Sequence, residues 1–531
     1  MKKHLTILLA LVMFLSMTAL SGCTAKEENI LRIAAQSDIL TMDVALTTND
    51  YFIPQNCFDR LFEIEVQPDG STEIVPSVVT SYSVSDDGLT YSFRLRDDVT
   101  FSNGNALKAD DVKYTFERLL TVANGVNYDI ALEIVGAQEL HDGKAEELTG
   151  ITVTGDYELT VTLSAPNAGF IAELTAPAMS LVDRETCESA ANFGMDPSDT
   201  IGSGPYIVSE WVANDHYTLV RNDNYWGKIP SAARVIVNIV PDPNTQNLMF
   251  QNGELDIIDL DSLDAAIISD TYKTKYANSI VTARRVGITY LALNEANEYL
   301  SDVKVRKAVQ MAINRENILT NLYDGEGILE NGIIAHGVWG HNDSLPEISY
   351  DPDAAKALLA EAGYGEGEIS FELALDSSSS STVEILYQQI QQDLAAAGIT
   401  AKIRSYDSSA WLDLRRSGKM DAFVATWTMD YNDPANIMVT FFGNAENAKG
   451  RSLNYYDVDI MARVSAASSI VDDDKRMAEY QVLEEKIIVG DAAWVPLFER
   501  THLFAIGEKV ASFVPHWAGY SNFFARDVVM K

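Results

Sequence analysis

Only one stretch of this 531-residue chain is apolar for long enough to concern a membrane, and it stands at the very start. Basic Met1-Lys2-Lys3-His4 leads into an apolar run from Leu5 to about Thr18, and Leu20-Ser21-Gly22-Cys23 follows. The run falls short of the ~20 residues that a bilayer span needs. A basic lead, this length and small residues behind it make an export signal. Everything after it has to fold in water, beyond the compartment of synthesis, and supply its own core.

Leu20-Ser21-Gly22-Cys23 resembles the lipobox of bacterial lipoproteins, in which the signal is cut ahead of the cysteine and acyl chains are attached to it. The resemblance implies a signal peptide over 1–22, a lipid anchor on Cys23 and a polar tether over 23–29, so the body is extracytoplasmic and membrane-tethered. That body is too long for one simple core and suits two or three domains. Its hydrophobic content of 47% is that of a globular chain. The net charge is −38. A surface this acidic repels nucleic acid and anionic lipid, and so excludes those partners.

Two cysteines lie beyond Cys23, Cys57 and Cys187, and they read as two buried thiols more readily than as a disulfide. No cysteine framework holds the fold; size and an apolar core must.

Periodicity divides the body. In the first half Tyr91, Phe93 and Leu95 alternate with polar neighbours, and Ile151–Val153 and Leu159–Leu163 flank the turn pair Gly155-Asp156 as a hairpin. Residues 235–240 read as a deeply buried strand, and Val112, Phe116, Leu119 and Leu120 form one face of a helix over 109–120. The second half alternates helix and strand. Leu386, Ile390 and Leu394 make a helical stripe that stops at Gly398, between strands at 371–375, 401–403 and 422–425. That pattern predicts an α/β lobe with crossover connections. No linker rich in proline, glycine or serine separates the halves, so the boundary is placed at 286–291 with a second crossing at 495–504, which together make a hinge.

No Gly-x-Ser-x-Gly elbow, His-Glu-x-x-His pair or phosphate-cradling loop occurs, and the chain reads as a non-enzyme without cofactor or metal. His336 and His341 lie five apart beside Gly337 and Gly340, poor helical spacing for shared metal ligation, and read as surface or packing residues.

Residues 76–120, with Val84-Ser85-Asp86-Asp87-Gly88-Leu89-Thr90-Tyr91 and Ala109-Asp110-Asp111-Val112, resemble the signature of the family 5 extracellular solute-binding proteins of ABC transporters. The resemblance continues through Gly202-Ser203-Gly204-Pro205-Tyr206, Asn224-Tyr225-Trp226, Gly253-Glu254-Leu255-Asp256 and Val305-Arg306-Lys307-Ala308 to Trp494-Val495-Pro496-Leu497-Phe498. It implies a two-lobed α/β clamp of the periplasmic-binding-protein type (type II, cluster C-like). Lobe I spans 30–286 with an extra subdomain at about 60–200, lobe II spans 287–499, and 500–531 returns to lobe I. Such a monomer captures a peptide by hinge closure and delivers it to an ABC permease. The same clamp also serves for a nickel chelate, an opine or an oligosaccharide, or as a sensory module.

Thr426-Trp427-Thr428-Met429-Asp430-Tyr431-Asn432-Asp433-Pro434 is similar to the Gly-Trp-x-x-Asp-Tyr-x-Asp-Pro segment of peptide-binding members. That similarity gives Asp430 the peptide's amino terminus, places Thr426 and Thr428 beside the peptide main chain, and makes Trp427, Tyr431 and Trp411 walls of the cavity. Thr426 departs from the family's glycine, and Lys108 stands where a capping serine or threonine is common. Where dipeptide-binding relatives supply an arginine for the ligand carboxylate, this chain has Asp376 and Ser377–Ser381. Those hydroxyls with the following helix N-terminus are one way to hold a carboxylate; a plain surface loop is the other.

Overall fold

The computed structural model describes residues 29–47, 51–67, 72–519 and 523–531; the signal, Cys23 and the tether lie outside them. Among the described residues no helix is long and apolar enough to cross a membrane.

Strand alternation in the first half produces the sheet it predicts. Tyr91, Phe93 and Leu95 point inward from Thr90–Leu95, which pairs with Val79–Val84 and Glu158–Thr162, and Ile151–Gly155 closes the four-stranded sheet as a hairpin. Helix Ala109–Thr121 covers it with Val112, Phe116, Leu119 and Leu120. Each such side chain taken fully from water contributes about 1.5–3 kcal/mol, ample to fix the register. At the helix start, the missing hydroxyl of Lys108 is offset: its backbone N–H donates to Asp111 Oδ2 at 2.9 Å.

A second sheet runs in the order Ile30–Ala35, Arg234–Ile239, His216–Arg221, Tyr206–Val212. Arg234–Ile239 departs from the deep burial that its apolar run predicts. It lies inside the sheet, but only Val235 and Val237 are buried, so one face is covered and the other half-open. An apolar run alone does not tell one covered face from two.

The second half builds the largest sheet, ordered Ile257–Asp259, Trp494–Ile506, Gly287–Leu293, Ala422–Thr428, Ser370–Asp376, Thr400–Tyr406. Ser370–Asp376 and Thr400–Tyr406 are parallel and joined by helix Ser381–Ala396, whose Leu386, Ile390 and Leu394 are buried. Gly398 then takes φ +82°, a conformation that only glycine adopts without strain.

The thirteen residues of Trp494–Ile506 pair along one edge first with Gly287–Leu293 and then with Ile280–Arg284. The partner changes between Phe498 and Thr501, opposite Arg284–Gly287, where Arg285 N–H donates to Arg500 C=O at 3.1 Å. Two antiparallel segments thus pass together from one set of neighbours to the other.

Candidate functional site

Residues 429–434 leave the end of strand Ala422–Thr428 directly above that passage, and Met429 N–H donates to Val286 C=O at 3.0 Å. Asp433 ends the turn by accepting Ala435 N–H at 2.9 Å, so helix Ala435–Phe442 begins there. Asp433 is also ion-paired with Arg476, and both are buried. Arg476 lies 4.3 Å over the Trp339 ring. Turn-forming Asp, Asn and Pro are local signals, but here the turn is locked by a charge 43 residues away.

The segment opens onto a cavity of about 700 Å³, an ordinary size for a small-molecule site. Trp427, Asp430 and Tyr431 line it together. Asn436 positions two of them: its Oδ1 accepts Trp427 Nε1–H at 3.0 Å and Asp430 N–H at 3.3 Å, and its Nδ2 donates to Asp430 Oδ2 at 3.2 Å. Phe441 meets the Trp427 ring edge-on at 5.2 Å. Across the cavity, Tyr51 is pushed up to about 12 by burial, with the Asp430 charge adding to the effect.

Thr426, Thr428 and Trp411 stand outside this lining. Thr426 exchanges a 2.9 Å hydroxyl hydrogen bond with Thr289, and Thr428 is in register with Gly287, so one edge of the strand is already occupied by the sheet. Trp411 donates its indole N–H to Ala374 C=O at 3.1 Å and meets Phe423 edge-on. It braces the wall instead of facing the cavity.

What the sequence motifs did not reveal is the positive charge that shares the cavity with Asp430. Arg415, Arg416 and Arg451 line the same cavity. Among the described residues none of the three has a carboxylate within ion-pairing distance, and Arg415 Nε is buried without a hydrogen-bond partner. Arg451 lies 4.8 Å over Trp427 and 5.1 Å over Phe441. Burial lowers the pKa of both Arg415 and Arg451, the sign of guanidinium groups stripped of water. At the acidic end, Asn167 donates to Glu133 at 2.7 Å and to Glu173 at 3.0 Å. Burial, reinforced by the Glu133 charge, raises Glu173 well above the usual carboxylate range. The cavity is therefore bipolar: the carboxyl groups of Glu133, Glu173 and Asp430 line it together with three cations, and the Asp430 charge is felt at Arg451.

A family model described as "Bacterial extracellular solute-binding proteins, family 5 Middle" matches residues 73–449. The chain belongs to this family. Among curated family 5 relatives, the dipeptide-binding protein of Escherichia coli is 26% identical, with 88% of each chain covered. Among solved structures, NikA from Brucella suis in complex with Fe(III)-EDTA superposes with a TM-score of 0.82 at 23% identity, covering 94% of this chain and 100% of that one. The periplasmic binding protein DppA from Helicobacter pylori in complex with peptide STSA superposes at 0.76 with 25% identity, covering 94% and 98%. The fold is the two-lobed α/β clamp of family 5 binding proteins, and the relatives named are binding proteins, not enzymes.

Two further expectations resolve within this family 5 fold. The serines at 377–381 do not face the bipolar cavity: Ser380 and Ser381 border a smaller one of about 100 Å³, whose cations Lys273 and Arg500 are already paired with Asp324, Glu326 and Asp261. Cys57 and Cys187 are both free, Cys57 buried and Cys187 half-buried, and burial raises the Cys187 thiol to about 12.

Proposed function

We propose that this protein is the extracytoplasmic receptor of an ABC importer and that it captures short peptides as zwitterions. Asp430 receives the ammonium, and Arg415, Arg416 and Arg451 receive the carboxylate. The observation that carries this reading is the bipolar cavity: the exposed Asp430 carboxylate, held by Asn436, lines the same space as three arginines that make no ion pair among the described residues. Charge-assisted hydrogen bonds to both ends of a ligand fix its orientation while leaving its side chains unread. Relatives named for dipeptides and peptides support the class.

In this reading residues 30–286 and 500–531 form lobe I, with the subdomain at about 60–200, and 287–499 form lobe II. The cavity draws on residues before and after the passage at 284–287, so rotation about that passage closes it. Cys23 anchors the monomeric receptor to the membrane that holds its permease, which raises their effective concentration. Three arginines also suit an anionic metal chelate such as the one bound by NikA, and an opine would satisfy both poles.

Calorimetric titration with a short peptide, its N-acetylated form and its C-terminal amide tests the assignment. Each block is expected to weaken binding at least tenfold. Equal affinity for all three overturns it, and tight binding of a metal chelate with no response to peptides puts the chelate in the peptide's place.

A further inference from the structure

Residues 330–342 carry a cluster that neither the ligand cavity nor the family match accounts for. The His336 and His341 rings meet with centroids 3.8 Å apart, although five residues separate them. The segment is not a helix: Gly337 and Gly340 take φ +88° and +86° and fold it back, so residues five apart become face-to-face neighbours. One donor atom each from Glu330, His336 and His341 fall within 4.8 Å of one another.

Two of the donors are already oriented. Glu330 is buried, and its Oε1 accepts the N–H groups of Asn331 at 2.7 Å and Gly332 at 3.0 Å. Its Oε2 accepts no hydrogen bond and points at His336, 3.0 Å from Nδ1. His341 Nδ1 lies 2.6 Å from the Ile334 carbonyl oxygen. A carbonyl only accepts, so Nδ1 carries the proton and the Nε2 lone pair is directed into the cluster, the outer-shell arrangement usual for histidines that bind metals. Buried Glu499 accepts the backbone N–H of His336 and lies 3.1 Å from its Nδ1. Exposed Asp343 has Oδ1 3.4 Å from His341 Nε2.

We propose that Glu330, His336 and His341 form a site for one divalent transition-metal ion of the zinc class, with Asp343 within reach as a fourth ligand. Two imidazoles and a carboxylate suit zinc and its neighbours, whereas calcium and magnesium prefer all-oxygen shells. Bonds of about 2.0–2.2 Å in a tetrahedral shell place ligand atoms roughly 3.3–3.6 Å apart, so atoms separated by up to 4.8 Å close by about 1 Å when the ion binds. None of the three residues lines the 700 Å³ cavity, which separates this ion from any chelate bound there. The ion would brace the loop against strand Trp494–Ile506 through Glu499, next to Trp339, whose N–H donates to Asn432 Oδ1 at 3.0 Å.

The test is titration of chelator-stripped, tag-free protein with zinc chloride, and separately with magnesium and calcium chloride. One zinc per chain is expected, weakened at least tenfold in His341→Ala and in Glu330→Gln, with no saturable magnesium or calcium binding. The zinc absorption-edge spectrum of the unmutated protein should report two imidazole nitrogens plus carboxylate oxygen, a readout that stands even if a variant fails to fold. Absence of saturable zinc binding, undiminished binding in His341→Ala, or a zinc shell without imidazole overturns the proposal.

Discussion

Asn436 holds Asp430: its amide nitrogen donates to the Asp430 carboxylate at 3.2 Å, while its oxygen accepts from the Asp430 backbone at 3.3 Å. One side chain thus sets both the position of the carboxylate and, through Trp427 Nε1–H at 3.0 Å, the tilt of the neighbouring ring.

Replacing either member of this pair should therefore weaken ligand. Asp430 is exposed without ligand, and Asp430→Asn is expected to cost about 2–5 kcal/mol of peptide binding, as for truncating one partner of a charge pair that binding takes out of water. Asn436→Ala should cost about 1–3 kcal/mol. Because the two act on the same contact, calorimetry on the double variant should show less than the sum.

Arg451→Ala should reduce the affinity of a peptide with a free carboxylate by about 1.5–3 kcal/mol. The same substitution should leave the affinity of the C-terminal amide nearly unchanged. An equal loss for both would assign Arg451 to the aromatic stack with Trp427 instead of to the ligand.

The buried Asp433–Arg476 pair belongs to stability. Asp433→Ala leaves a guanidinium enclosed without its counter-charge and should cost about 3–5 kcal/mol in denaturant unfolding. It also removes the cap on Ala435, so part of the loss lies in the helix.

Asp59 gives a pH signature. Burial, with the nearby Glu63 charge adding, pushes its carboxyl up to about 6 from an ordinary 3.8, although Trp226 and Tyr225 donate to it. Between those values the folded chain holds a proton that the unfolded chain releases. The stability associated with this proton is complete below the unfolded value and is lost as pH rises through the folded one. Unfolding at pH 4 and pH 7 should show a loss on this account of up to about 3 kcal/mol that Asp59→Asn does not share.

Much of the clamp was legible because its periods are local. Tyr91, Phe93 and Leu95 announce a strand, Leu386, Ile390 and Leu394 a helix, and both form as read. The arginines were not legible. Arg415 and Arg416 occupy the last turn of helix Ser408–Arg416, where basic residues are ordinary partners of the helix dipole, and only the tertiary fold turns them onto the cavity. Nor was the meeting of His336 and His341 legible: residues five apart do not stack on a helix, whereas here two glycines at positive φ fold the segment back. Asn436, two residues beyond the motif, offered no signal except its nearness to Asp430.

The paired passage at Arg284–Gly287 and Phe498–Thr501 carries a mechanical consequence. Gly287 sits so close to the neighbouring strand that a Cβ there would lie 2.2 Å from the Trp427 carbonyl oxygen. Backbone against backbone leaves no slack for Gly287 to slide along strand Ala422–Thr428. In the hinge proposed above, motion at this point twists the paired segments together with their neighbours, Gly327–Leu329 along Phe498–Arg500 and Thr428 beside Gly287, instead of swinging on a loose tether. A hinge so built would retrace one arc on opening and reclosing, and bring the two walls of the cavity back into the same alignment on every cycle.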